Sequence, residues 1–190
     1  MTVNPPIDVR FTEAQMRALS LLAEERGRAN RNKGIPDTTT SASKNYIPMT
    51  HKPDQISLDL YGVMGEAAYC LELGLPFSDI RVDQPGGDGG IDFTTGGLTV
   101  DVKMTTRRGY NLVRFKLNPT ASIYILVWPK AHNEVSIVGA ITGSRFNDIC
   151  EPLAKWGVGY KCSWKELKPF VEFRDYINKR IDAAKPMIQF

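Results

Sequence analysis

Asp92, Asp101 and Lys103 are the residues whose types and spacing point most directly to chemistry. The runs Ile91 to Thr95 and Leu98 to Met104 are β-type, and only Gly96 and Gly97 separate them. Paired glycines suit a two-residue hairpin, because both central positions of a type I′ turn need positive φ. If Thr95 pairs with Leu98, the residue numbers of every cross-strand pair share one sum, and Asp92 falls opposite Asp101. Side chains alternate along a strand, so Asp101 and Lys103 share one face while Ile91, Phe93, Val100 and Val102 point to the other. A charged face and a core face are expected.

Like charges placed opposite each other in an antiparallel pair destabilise it by up to about 1 kcal/mol. Such a pair calls for a neutralising partner. Oxygen donors select a hard cation, and Mg²⁺ uses one or two carboxylates while keeping waters for a phosphate substrate. Lys103, one pleat from Asp101, is placed to orient a water and to offset charge developing on phosphorus. The chemistry these residues fit is phosphodiester hydrolysis. The structural alternative is a solvated strand face carrying a surface ion pair, with Glu66 a merely exposed helix acid.

Several elements must position these groups. Thr12 and Gln15 form a capping box, and Ala14, Ala18, Leu19, Leu21 and Leu22 predict a first helix to about Gly27. From Arg28 to Lys52 the apolar period disappears, which reads as a long basic surface loop. Asp54 can cap a second helix to about Leu73, with Ile56, Leu60, Val63, Ala67, Cys70 and Leu71 at helical spacing and Gly74 as its end. Gly62 and Gly65 each cost about 1 kcal/mol against Ala inside a helix, so another backbone is expected to pass close by, next to Glu66. Strands are expected at Ile80 to Val82, Ile91 to Thr95, Leu98 to Met104, Leu112 to Leu117, Ile123 to Trp128 and Val135 to Ile141. The tail returns to helix at Asn147 to Trp156 and at Phe170 to Ala184. The result is an α/β fold with a central mixed sheet of four to six strands flanked by helices.

With 190 residues, 42% hydrophobic and 24% charged, the chain suits a single globular domain, and full disorder or a fibrous repeat is excluded. We divide it into an N-terminal helix and basic loop (1–53), a core (54–141) and a C-terminal helical part (142–190). The apolar stretch around Tyr124 to Trp128 is far short of the roughly 20 residues of a membrane span, and MTVNPPID lacks a signal pattern, so a cytoplasmic chain with no membrane partner is expected. Cys70, Cys150 and Cys162, with no CxxC and only His51 and His132 beside them, fit plain packing thiols better than disulfides or zinc. The net charge of +3 is mild but unevenly spread. Six Lys/Arg face only Asp37 between Arg26 and Lys52, and Lys103, Arg107, Arg108, Arg114 and Lys116 face no acid, whereas five aspartates lie between Asp79 and Asp101.

Gly86-Gly87-Asp88-Gly89-Gly90 lacks the Gly-Lys-Ser/Thr ending of a phosphate loop and precedes a strand. Trp156, Tyr160 and Trp164 read as packing before base stacking. His51 reads as a solvated loop residue and His132 as hairpin surface.

Glu66 in Gly62-Val63-Met64-Gly65-Glu66, followed by Gly90-Ile91-Asp92-Phe93 and then Asp101-Val102-Lys103, resembles the PD-(D/E)XK nuclease superfamily. The motifs cover about Tyr61 to Thr105, and the element order extends the resemblance over most of 54–141. It implies a restriction-endonuclease-like core, a helix followed by a curved sheet with the acids on two adjacent strands. It further implies Asp92, Asp101, the Val102 carbonyl and Glu66 as the metal-binding set, with Glu66 the helical acid completing the site, and Lys103 near the attacking water. Ile91 stands where the motif name has proline, and the Gln-containing helical motif of the exonuclease-like branch is missing, which leaves endonuclease or exonuclease open.

The expectation is a Mg²⁺-dependent DNA endonuclease using metal-activated water, with Mn²⁺ substituting and DNA as partner. It would be a stand-alone enzyme similar to virus-encoded nucleases. A Holliday-junction resolvase, acting as a homodimer, is the alternative within the class, and a catalytically silent nucleic-acid-binding module is the rival outside it. Arg31, Lys33, Lys44, Arg107, Arg108, Arg114 and Lys116 are the expected contacts to DNA phosphates.

Overall fold

The computed structural model describes residues 5–32, 55–82, 91–105, 109–114, 121–153 and 159–184. The chain begins with β1 (Ile7–Arg10) and α1 (Glu13–Asn32), followed by α2 (Gln55–Leu73). The hairpin β2 (Phe93–Thr95) and β3 (Leu98–Met104) comes next, then β4 (Leu112–Arg114) and a second hairpin of β5 (Ile123–Ala131) and β6 (Glu134–Thr142). Helix α3 (Gly143–Ile149), the short strands β7 (Glu151–Pro152) and β8 (Tyr160–Cys162), and helix α4 (Phe170–Ala184) complete it. Among the described residues no helix is long and apolar enough to cross a membrane.

Five strands form a mixed sheet in the order β1-β6-β5-β3-β2, in which β3 and β5 run parallel and the other neighbours antiparallel. Strand β5 sits at its centre and is apolar almost throughout, as a strand covered on both faces must be. Ile123, Ile125 and Val127 join the larger core beneath α2, with Val63, Met64, Ala67, Val100 and Val102. Tyr124, Leu126 and Trp128 join a second core on the opposite face, with Leu112, Phe146 and Cys162. Strands β4, β8 and β7 make a separate three-stranded sheet, and its Leu112 and Cys162 belong to this second core.

Helix α2 is buried continuously from Val63 to Cys70. A helix that is apolar nearly all round needs neighbours on several sides; α1, β3 and α4 supply them. A Cβ on Gly65 would lie 3.1 Å from the Met104 Cβ and 3.5 Å from the Val102 Cγ1, so the expected close approach is real, but it is made by side chains of β3 rather than by its backbone.

The capping box holds as read: the Thr12 N–H donates to the Gln15 Oε1 at 2.8 Å, and the Gln15 N–H donates to the Thr12 Oγ1 at 3.2 Å. Four expectations need correction. Helix α1 continues past Gly27 to Asn32, because packing against α2 outweighs the propensity penalty of one glycine. Residues 80–82 form no strand; Phe77–Asp79 is a 3-10 turn that closes on Ile80. The helix expected from Asn147 is instead α3, begun earlier by Thr142, whose side chain accepts the Arg145 N–H. Strands β1, β7 and β8 escape sequence reading because β7 and β8 are two or three residues long and β1 is four.

Candidate active site

The glycine hairpin sets the site. Gly96 and Gly97 have φ of 57° and 74°, and the ladder pairs Thr95 with Leu98, Thr94 with Thr99 and Phe93 with Val100, which is the expected register. One step further, regular pairing would put Asp92 opposite Asp101. The ladder stops there. The Asp92 N–H still donates to the Val100 carbonyl at 2.9 Å, but the Asp92 carboxylate turns to the edge of β3 and its Oδ2 accepts the Val102 N–H at 2.6 Å. The aspartate thus fills the notch left where β2 ends and β3 continues. In a strand the N–H and C=O of one residue project to the same edge, so the Val102 carbonyl faces the side that Asp92 occupies.

Asp101 lies level with Tyr124 in the parallel ladder, and Lys103 with Leu126. The expected charged face is therefore shared with the second core, to which Tyr124 and Leu126 belong. Asp101 is only 2% exposed, and its Oδ1 is 2.6 Å from the Lys103 Nζ. Lys103 is the accessible member, with its side chain 35% exposed.

Glu66 approaches from the α2 side of the sheet and is also buried. Both of its oxygens are taken by Arg26 of α1, whose Nη1 donates to Oε1 and Nη2 to Oε2, each at 2.7 Å. The Arg26 Nη2 also donates to the Arg81 carbonyl at 2.8 Å. Burial works to lower the Arg26 pKa, but the Glu66 hydrogen bonds and charge, with Asp92 and Asp59 nearby, outweigh it and hold the guanidinium above its ordinary value. Sequence reasoning missed Arg26. Its only local signal was membership of a basic run, and its partner lies in another helix.

Asp92 feels the charge of both other acids. Burial raises its pKa well above the ordinary carboxylate range, and the charges of Glu66 and Asp101 raise it further, against the opposing pull of Lys103 and the Val102 N–H. Like-charge crowding of buried carboxylates is a feature of sites built to hold a cation or to move a proton. Among the described residues no three His, Cys, Asp or Glu side chains form a ready metal cage. Asp92, Asp101 and the Val102 carbonyl are oxygen donors that could hold a hard cation, the ligand type that Mg²⁺ takes.

The expected DNA contacts fare differently. Arg114 is 5% exposed, with its guanidinium 4.1 Å from the Tyr124 ring centroid and 5.3 Å from that of Phe146, so it is a core cation and not a surface contact to phosphate. Arg31 lies in the last turn of α1. Lys33, Lys44, Arg107, Arg108 and Lys116 lie outside the described residues, as do His51, Trp156 and the Gly86 to Gly90 run. His132 is exposed in the turn between β5 and β6. Trp164 packs edge-on against Trp128 at 5.3 Å, in keeping with a packing role. All three cysteines are free, and burial pushes the Cys70 thiol up to about 12 and that of Cys162 up to about 11.

Comparison with family models, with curated proteins and with solved structures finds no match.

Proposed function

We propose that the protein is a Mg²⁺-dependent DNA endonuclease of the PD-(D/E)XK type, with its centre at the notch between β2 and β3. The observation that carries this reading is that buried Asp92, bound to the Val102 N–H, feels the charge of buried Asp101, which has Lys103 at hydrogen-bonding distance. Asp92, Asp101 and the Val102 carbonyl would hold the ion. Bound there, Mg²⁺ would supply an activated water and neutralise phosphate charge, and Mn²⁺ would do the same.

The chain's own residues do the rest. The Val102 N–H fixes the Asp92 carboxylate, so that its second oxygen keeps one direction. The Lys103 Nζ, partly exposed beside buried Asp101, is placed to orient a water and to meet negative charge on a phosphate arriving from solvent. Glu66 completes the acidic cluster from the helix side under the grip of Arg26.

The basic run Arg107, Arg108 and Lys116, with Arg31, Lys33 and Lys44, would contact the DNA backbone; buried Arg114 is dropped from that set. A resolvase acting as a homodimer is the version of this function suited to a four-way junction. The rival is a silent DNA-binding module, favoured by the ion pairs that already neutralise Asp101 and Glu66 within the chain.

A cleavage panel of linear duplex, single strand, flap and four-way junction, with Mg²⁺, Mn²⁺ or EDTA, tests the reading. Metal-dependent cutting that is lost in Asp101→Asn is the expected result. Binding without cutting of any substrate in either metal would establish the silent module instead.

A further inference from the structure

Arg26 is bound on three sides. Its guanidinium meets both oxygens of Glu66 and the Arg81 carbonyl, and it lies along the face of α2 that carries Asp59, Gly62 and Glu66. A Cβ on Gly62 would come within 3.5 Å of the Arg26 Nη1, so the helix surface is low where the guanidinium passes. Two parallel N–H···O bonds between a planar guanidinium and a carboxylate are the strongest ion-pair geometry that side chains offer. This pair is largely buried, with side-chain exposures of 19% and 6%.

Resting on the nuclease reading above, we infer that Arg26 is a built-in second cation: it keeps Glu66 out of the metal shell, and the centre holds one divalent ion on Asp92 and Asp101. If Glu66 swung to a metal, it would abandon a doubly bonded partner and leave a largely buried guanidinium with the Arg81 carbonyl and the more distant charges of Asp92 and Asp59, which is the costly way to break a buried ion pair.

Charge balance points the same way. Glu66, Asp92, Asp101 and Asp59 oppose Arg26 and Lys103, which leaves two net negative charges with all six groups ionised. One divalent ion neutralises that. A second would leave two net positive charges in a largely buried space. Arg26 also feels the charge of Asp92 directly, so it shares the electrostatic environment of the proposed ion without being one of its ligands. It is a positioning residue: it acts through Glu66 and through the field at Asp92.

Mn²⁺ titration by calorimetry, with electron paramagnetic resonance to detect spin coupling between paired ions, tests this without any turnover. The wild type is expected to bind one ion and to show no coupling. Arg26→Met should free Glu66 and admit a second ion. The charge-conserving double variant Arg26→Met, Glu66→Gln should bind one ion with an affinity within about 100-fold of wild type, the upper end of the roughly 10–100-fold cost of outer-shell partners, since no ligand has been removed, whereas loss of a true ligand should exceed it. Two coupled ions in the wild type, or a loss beyond that limit in the double variant, would overturn the inference while leaving the nuclease reading intact. No Mn²⁺ bound by the wild type would overturn both. The wild-type stoichiometry needs no variant to fold, so the inference stays exposed to refutation if Arg26→Met is unstable.

Discussion

Asp92 makes the site's chemistry testable through stability alone. Its folded pKa lies above the ordinary value, chiefly through burial and then through Glu66 and Asp101. A carboxyl with a raised folded pKa favours the folded state while protonated, and this contribution is lost as pH rises from the unfolded value of about 4 through the folded one. Asp92→Asn is therefore expected to melt higher than wild type at neutral pH in EDTA, because the amide oxygen can still accept the Val102 N–H while the charge is gone. The difference should shrink to nothing below about pH 4, where both side chains are neutral. With Mg²⁺ the order should reverse, since only the wild type gains binding energy. Thermal melts across pH, with and without metal, check all three statements; a less stable Asp92→Asn in EDTA at neutral pH would show that the charge has a structural partner.

Lys103 gives the complementary case. Lys103→Met removes the ammonium paired with Asp101 and should destabilise the metal-free protein by about 1–2 kcal/mol, below the roughly 3–5 kcal/mol of a fully buried pair because Lys103 is a third exposed. Cleavage should be lost, yet Mn²⁺ should bind tighter, since a competing cation has left Asp101. Urea melts and calorimetry on one variant read both effects. Weaker Mn²⁺ binding would mean that Lys103 supports the ligand set rather than competing with the ion.

At the scale of elements, α2 and β3 are held at a distance set by Gly65. Replacing glycine by alanine in a helix ordinarily gains about 1 kcal/mol. At Gly62 the nearest atom to a new Cβ is the Arg26 Nη1 at 3.5 Å, an ordinary van der Waals contact, so Gly62→Ala should realise most of that gain. At Gly65 the new methyl would meet the Met104 Cβ at 3.1 Å, so Gly65→Ala should show little or none of it, and Gly65→Ile should lose about 1–3 kcal/mol by overpacking. Equal gains at both positions in denaturant melts would refute the spacing argument.

The same contrast shows which parts of the fold could be read in advance. The β2–β3 register was legible because two glycines fix a turn and a turn fixes every pair that follows, as Phe93 with Val100 bears out. The swing of Asp92 to the Val102 N–H was not, because it depends on where β2 stops, and nothing local marks that. Arg26 was hidden for a similar reason: 40 residues separate it from Glu66, and a charge on a helix looks solvated until its neighbour is known.

At the scale of the whole molecule, burial decides which of the described cations could meet DNA under the proposed function, and Arg114 is the clearest example. In sequence it belongs to the basic run after Lys103; in the fold it ends β4 and stacks on Tyr124 and Phe146. The two assignments predict opposite behaviour. A phosphate contact contributes to the salt dependence of binding, whereas a buried cation–π residue contributes to folding. Arg114→Leu should leave the log–log salt slope of duplex binding unchanged while lowering stability by about 1–3 kcal/mol through lost packing. Replacing Arg107 and Arg108 by glutamine should instead reduce the magnitude of that slope by about two and leave stability within about 0.5 kcal/mol of wild type. Binding over a salt series, with Ca²⁺ in place of Mg²⁺ to suppress cutting, separates the outcomes. A slope that falls in Arg114→Leu, or stays fixed in the double variant, would place the DNA against the Tyr124 face of the sheet rather than along the run that follows β3.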